Sequence, residues 1–217
     1  NLETEDGRGL FRRLAATADI ILETFAPGYL SSLGLGYEDL KQQNPRLIMC
    51  SLTSFGQTGP WKDYLGSDLL HLAAGGQMGC CGYDEEDVPN APPIAPGGGQ
   101  AWHMAGHYAY IAIIAALIYR AATGKGQSID TSVHDACALT TEMHIATWIY
   151  DGKVPLRHTG RHASPAASPK LQHRCSDGRY LITAALRLPP AQLRVVAEWM
   201  NGYGLADDLM DEKYRDG

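Results

Sequence analysis

His103 and His107 stand four residues apart, a spacing that puts two imidazoles on one helical face, where they could share a metal ion or flank a ligand. No glutamate follows His103 in the HExxH manner and no third ligand is marked, so a helix-packing role is favoured over a metal site and no metal is expected. His158 and His162 repeat the spacing inside a Pro/Gly-containing loop. The stretch Phe55-Gly56-Gln57-Thr58-Gly59-Pro60-Trp61 follows an apolar run. At the carboxyl end of a parallel strand its glycines would bare backbone N–H groups and Trp61 would offer a flat face to a heterocycle. A tight Gly-Pro turn with a packed Trp accounts for the same residues. Cys80-Cys81 is either a reactive pair or two small buried hydrophobes. Asp68, Asp130 and Asp135 read first as caps, while Glu23 ends a strand where it can face a cleft. The sequence has no GxSxG elbow, no P-loop and no GxGxxG after a strand. These residues indicate an α/β ligand-binding domain without declaring its reaction.

The elements that must hold them are organised around residues 96–133, PGGGQAWHMAGHYAYIAIIAALIYRAATGKGQSIDTSV. Gly97-Gly98-Gly99 lets backbone approach a neighbour closely. An apolar, Ala-rich helix is predicted from Ala101 to Arg120, stopped by Gly124, with a strand from Gln127 to Val133. Upstream, Thr4 caps a helix carrying Leu10, Phe11, Leu14 and Ala15 on one face. Residues 19–23 and 47–52 read as buried parallel strands, separated by helical stretches from Pro27 to Gly34 and from Tyr37 towards Pro45. This alternation predicts a parallel sheet with helices on its faces. A helix at 67–74, a break from Gly75 to Gly82, an acidic loop at 84–96 and a helix at 135–150 follow. Residues 153–172 read as a linker or active-site loop, Tyr180 to Ala184 as a strand and Ala191 to Met200 as a helix. The domains are therefore placed at 1–155 and 156–217.

Hydrophobic content of 45% and charged content of 19% are those of an ordinary globular protein, and a net charge of −6 disfavours a nucleic-acid surface. Five scattered cysteines without CxxC spacing read as reduced thiols in a cytoplasmic protein. The apolar run from Met104 to Tyr119 is short of the roughly 20 residues that span a bilayer and contains His107, so a buried helix is expected rather than a membrane segment. The first residue is not Met and the chain starts at a helix entry, as a piece of a longer protein would.

Assembled in order, Ala18 to Gly28, Leu33 to Leu40, Asn44 to Ile48, Ser54 to Trp61 and Ala115 to Gln127 resemble the class III CoA-transferase family, which includes the α-methylacyl-CoA racemases. The resemblance runs closely through about residue 155 and more loosely through Ser176 to Tyr180. It implies a Rossmann-like large domain of parallel sheet, the start of a smaller α+β domain, an interlocked homodimer, and segments before Asn1 and after Gly217. It implies coenzyme A or acyl-CoA as substrate with a small carboxylic acid, bound through Thr24, Phe25, Pro27, Gln57, Gly59 and Trp61. The family's nucleophilic aspartate, four residues before the glycine matched by Gly106, falls on Trp102. The racemase histidine falls on Ser67. His162 to Ser168 stands where formyl-CoA transferases carry a glycine-rich loop. A CoA-transferase in which His103, Gln100 or a carboxylate elsewhere takes part in transfer is therefore the leading expectation. A non-catalytic acyl-CoA-binding protein or subunit is the alternative, other thioester chemistry has no residue pointing to it, and a racemase is disfavoured.

Overall fold

The structure is a computed structural model describing residues 1–141, 143–166, 170–182 and 189–214. In chain order the first elements are α1 (Glu5–Ala15), β1 (Ile20–Glu23), α2 (Tyr29–Ser32), α3 (Tyr37–Leu40), β2 (Ile48–Thr53), α4 (Asp68–Ala74) and α5 (Gln77–Cys80). Then come α6 (Gln100–Thr123), β3 (Ser128–Ser132), α7 (Val133–Leu139), α8 (His144–Asp151), β4 (Leu156–His158) and β5 (Arg161–Ser164). The last are β6 (Gln172–Arg174), β7 (Tyr180–Ile182) and α9 (Pro190–Asn201). Contacts divide the chain into compact units Asn1–Ala167 and Ser168–Gly217.

In the first unit β1, β2 and β3 form a parallel sheet in that order, with Ile20 opposite Ile48 and Met49 opposite Ser128. The fold is the expected mixed α/β. Strand β2 is central and buried nearly throughout, as a parallel strand covered on both faces must be. The expectation that β1 is equally buried fails, because it lies at the sheet edge with Leu22 59% exposed. One core gathers Ala15, Leu30, Leu35, Leu40, Leu47 and Met49; another gathers Leu72, Ala101, Ala105, Val133, Ala136 and Cys137. Thr4 caps α1 as expected, its hydroxyl accepting the Gly7 N–H at 3.2 Å.

Helix α6 is longer than the sequence predicts, 24 residues. By length and composition it could cross a membrane. It is also far less buried than expected. Ala101, Ala105, Ala109 and Ala116 form a narrow stripe against the sheet and α4, while Tyr110, Ile111, Ile118 and Tyr119 are exposed. Small residues let the helix sit close on the strands, and the large apolar residues are left on the far face.

Three local expectations need correction. The Gly75–Gly82 break contains the short helix α5, entered through Gly76 in the left-handed region (φ +99). The helix at 135–150 is two, α7 beginning on the Ser132 cap and α8 on Met143, because Thr140 and Thr141 turn their hydroxyls onto the Cys137 and Ala138 carbonyls. The loop at 153–172 contains the antiparallel hairpin β4–β5. That hairpin is pinned by the nearly buried Arg161–Asp84 pair at 2.6 Å and by Arg157 donating to the Ala91 carbonyl at 2.7 Å. The 153–166 stretch thus packs within the first unit. In the second unit β6 pairs with β7 antiparallel, Gln172 opposite Ile182, and α9 starts with Pro190 at its first position. The remainder of the strand predicted to reach Ala184 lies outside the described residues.

Candidate active site

Strands β1 and β2 run parallel and end at the same edge of the sheet, so the segments leaving them, 24–28 and 54–66, meet there. Between them lies a cavity of about 510 Å³ lined by Thr24, Phe25, Pro27, Ser54, Lys62, Tyr64, Leu65 and Trp102 among others. Four hydrogen bonds hold this edge together. The Glu23 carboxylate, buried, accepts the Phe25 N–H at 2.7 Å. Gln57 accepts the Gly28 N–H through Oε1 at 3.1 Å, and its own backbone N–H donates to Asp130 Oδ2 at 2.9 Å. Gln57 Nε2 also faces Glu23 Oε1 at 3.4 Å. Glu23, read in the sequence as a cleft-facing carboxylate, thus braces the loop after its own strand. Asp130 lies within β3 and holds the second loop, so its reading as a cap is corrected.

The wall behind the cavity is a cluster of rings. His71 on α4 is fully buried, with centroids 5.1 Å from Phe55, 5.8 Å from Trp102 and 6.2 Å from His134. Trp102 meets it edge-on at 82°, and Trp61 meets Phe55 edge-on at 6.0 Å. Neither ring nitrogen of His71 has a hydrogen-bond partner. Burial, and next the neighbouring His134, push its pKa below the ordinary 6.5, against a smaller opposing effect of Asp68. The native state therefore binds this proton less readily than the unfolded chain does. Stability is expected to fall as pH drops below about 6.5 towards the depressed native value. Replacing His71 by leucine removes two buried, unpaired nitrogens and is expected to add about 1 kcal/mol at neutral pH while flattening that acid slope. Urea midpoints at about pH 7.5 and about pH 5.5 check both effects. An unchanged acid slope in His71→Leu would exclude His71 as its source.

The residues singled out from the sequence do not all meet here. Thr24, Phe25 and Pro27 line the large cavity. Gln57 lines a smaller one with Glu23, Gly28 and Tyr37, and acts on the large one through the Gly28 backbone. Gly59 and Trp61 are exposed on the adjoining loop. Trp102 lines both this cavity and a shallower one on the exposed face of α6, which it shares with His103, Gly106, His107 and Tyr110, whereas His103 lines only the shallower one. The packing role expected for His103 and His107 is thereby corrected: both are exposed, with His107 Nδ1 2.7 Å from the His103 carbonyl. A helical step of 100° turns consecutive side chains to different faces. Gln100 opens α6 and is half-buried. Among the described residues no group of His, Cys, Asp or Glu could hold a metal.

Asp68 is not the cap of its own helix. Ser67 is, accepting the Leu70 N–H at 3.2 Å, which leaves Asp68 Oδ1 to accept the Ala101 N–H at 2.9 Å. Helix α6 begins on glycines with no side chain to cap it, so a neighbouring helix supplies the acceptor. Asp135 sits in the first turn of α7 behind the Ser132 cap. Sequence reading missed Lys62, a cation on the cavity rim directly after Trp61, and His71, whose one signal was a histidine inside an apolar helix.

The family model for CoA-transferase family III matches residues 1–212. The chain is 36% identical over 207 residues to a succinyl-CoA:(R)-benzylsuccinate CoA-transferase subunit BbsE from Thauera aromatica, covering 95% of this chain and 48% of that protein. It is 36% identical over 184 residues to a succinate–glutarate CoA-transferase from Agrobacterium fabrum, covering 85% of this chain and 44% of that protein. The crystal structure of a CAIB/BAIF family protein from Brucella suis superposes with a TM-score of 0.74 at 35% identity, over 100% of this chain and 54% of that one. The chain spans about half the length of the curated relatives it matches.

Proposed function

The chain belongs to CoA-transferase family III, and on that premise we propose that the intact protein moves CoA between an acyl-CoA thioester and a small carboxylic acid. The observation that carries the reading is the cavity where β1 and β2 end, open to solvent and rimmed by Lys62, within a family whose relatives are named for this transfer. In this reading Thr24 to Pro27 and the Lys62 side receive the CoA thioester, Lys62 supplying positive charge for its phosphates. Gln57, Gly59 and Trp61 hold the loop that closes over it.

The resemblance sets Trp102 at the place of the family's nucleophilic aspartate. An aspartate there would attack the thioester carbonyl to form an anhydride and release CoA, which would return to make an enzyme thioester. An indole can do neither. The covalent route then needs a carboxylate from elsewhere, in this chain or an associated one, or is replaced by transfer assisted by a base such as His103. Ser67 is committed to capping α4, and with both racemase bases absent a racemase is disfavoured. The exposed apolar face of α6 supports assembly into a dimer, interlocked in the family manner.

A second reading has its own support. Trp102 fills the nucleophile's place with a bulky ring, and one relative is named as a subunit and another as a beta subunit. In that reading this chain is the acyl-CoA-binding partner in a hetero-oligomer whose other chain carries the nucleophile.

One experiment separates the readings: intact mass of the full-length protein after incubation with succinyl-CoA and glutarate, with and without hydroxylamine. A hydroxylamine-sensitive adduct is expected if covalent transfer survives, and peptide mapping names its carboxylate. CoA exchange without an adduct supports base-assisted transfer. Binding without exchange overturns the transferase reading for this chain alone and supports the subunit reading.

A further inference from the structure

Away from the strand ends, α5, α8 and the β4–β5 hairpin enclose a second cavity of about 230 Å³. Cys80, the last residue of α5, places its Sγ 2.9 Å from Nδ1 of His144, the first residue of α8. A thiol and an imidazole at this separation can act as a nucleophile–base pair in the tautomer whose Nδ1 accepts the S–H. From these contacts we propose that Cys80 and His144 form a thiol-exchange site at which a low-molecular-mass disulfide becomes covalently attached to Cys80.

The surroundings select that chemistry. A cavity of about 230 Å³ is smaller than the roughly 300–1,000 Å³ of sites for drug-sized ligands, so the group it accepts is small. Acyl transfer would also need donors for a developing oxyanion. Among the donors lining this cavity, Gln77 Nε2 and Thr140 Oγ1 both donate to the Cys137 carbonyl, Thr141 Oγ1 to that of Ala138, and Arg161 is paired with Asp84. Exchange at sulfur needs only an activated thiol and access to it.

The step balances with the small disulfide itself as the oxidant: Cys80 is oxidised and one RS sulfur is reduced to a thiol. His144 Nδ1 takes the Cys80 proton, and the thiolate attacks one sulfur of RS–SR. The RS–SR bond breaks as the Cys80–SR bond forms, and the departing RS⁻ takes the proton from His144 to leave as RSH. Burial, and next the neighbouring Cys81, raise the Cys80 thiol's pKa, so the thiolate forms only as His144 takes the proton at the moment of attack. Cys50 and Cys137 are buried, the latter pushed up to about 11, Cys81 lines the same cavity beside Cys80, and Cys175 is exposed in the second unit.

The test treats full-length protein carrying Cys81→Ser with bis(2-hydroxyethyl) disulfide and follows each cysteine by peptide mass mapping. Cys80 is expected to be modified ahead of Cys175, and His144→Asn to slow Cys80 about a hundredfold while leaving Cys175 unchanged. Modification of Cys175 first, or a Cys80 rate indifferent to His144→Asn, overturns the proposal. Should the variant lose its fold by circular dichroism, pulse labelling of the unsubstituted protein with iodoacetamide decides alone. Cys80 labelled before Cys175 supports the site, and the reverse order refutes it.

Discussion

Arg120→Met is expected to destabilise the first unit by about 3–5 kcal/mol, read as a shift of the urea midpoint at constant m-value. Arg120 sits in the last turn of α6 with its side chain only 10% exposed. Its Nη1 donates to the carbonyls of Asp19 and Arg46, both at 3.1 Å, and Nη2 pairs with the Asp19 carboxylate at 2.9 Å. Those two carbonyls lie just before β1 and β2, so one guanidinium ties the helix to the starts of two strands. The ion pair itself contributes little, because the Asp19 side chain is 79% exposed and screened by water. Asp19→Ala is accordingly expected to stay within about 1 kcal/mol. The weight lies in two carbonyls left without a charged donor when the guanidinium is removed. Arg120→Lys is expected to recover less than half of the loss, since an ammonium on a single stem cannot reach three acceptors in the guanidinium's fork geometry. If Asp19→Ala matched Arg120→Met, this apportionment would be wrong.

Gly126→Ala is expected to cost about 3 kcal/mol or more, or to abolish soluble expression. Gly126 crosses directly over the backbone of Arg46 and Leu47, and a Cβ on it would overlap the Leu47 carbonyl. Its N–H donates to the Pro45 carbonyl at 2.8 Å, so the segment cannot retreat without losing the bond that starts the β2–β3 pairing. The obstruction is backbone rather than the end of a movable side chain. Two residues earlier, Gly124 is needed for a different reason. It ends α6 in the left-handed region at φ +76, its N–H bonded to the Arg120 carbonyl, with only the movable Arg46 guanidinium in ordinary contact, 3.8 Å from where a Cβ would sit. Gly124→Ala is therefore expected to cost only about 1–2 kcal/mol. Thermal unfolding of the two variants separates the reasons, and equal losses would argue against the crowding at Gly126.

Arg120, Gly124 and Gly126 belong to the stretch that dominates the sequence, and they show how far sequence reading reaches. The helix–Gly-turn–strand order from Gln100 to Ser132 was legible because its signals are local: an apolar run, a glycine that stops it, and β-branched residues after it. The Thr4 cap, the parallel strands β1 and β2 and the helices between them were legible for the same reason. Helix α5 was hidden by flanking glycines that favour a turn. The hairpin β4–β5 was hidden because its strands are only three and four residues long and are held by Arg161 and Asp84, residues 77 positions apart.

The candidate site divides along the same line. Residue order alone determined that the chain is α/β, that it resembles the CoA-transferases, and that Thr24 to Pro27 and the Phe55–Trp61 loop flank strand ends. Parallel pairing then has to bring those loops to one edge, a consequence of strand direction. Only the tertiary structure decided that Asp68 caps α6 rather than α4, that His103 shares the shallow cavity beside Trp102 and not the large one at the strand ends, and that His71 is sealed among Phe55, Trp102 and His134. It alone set Cys80 against His144. Each of these depends on which face of one element meets which face of another. Hydrophobic burial over the whole unit decides that, and no local spacing encodes it.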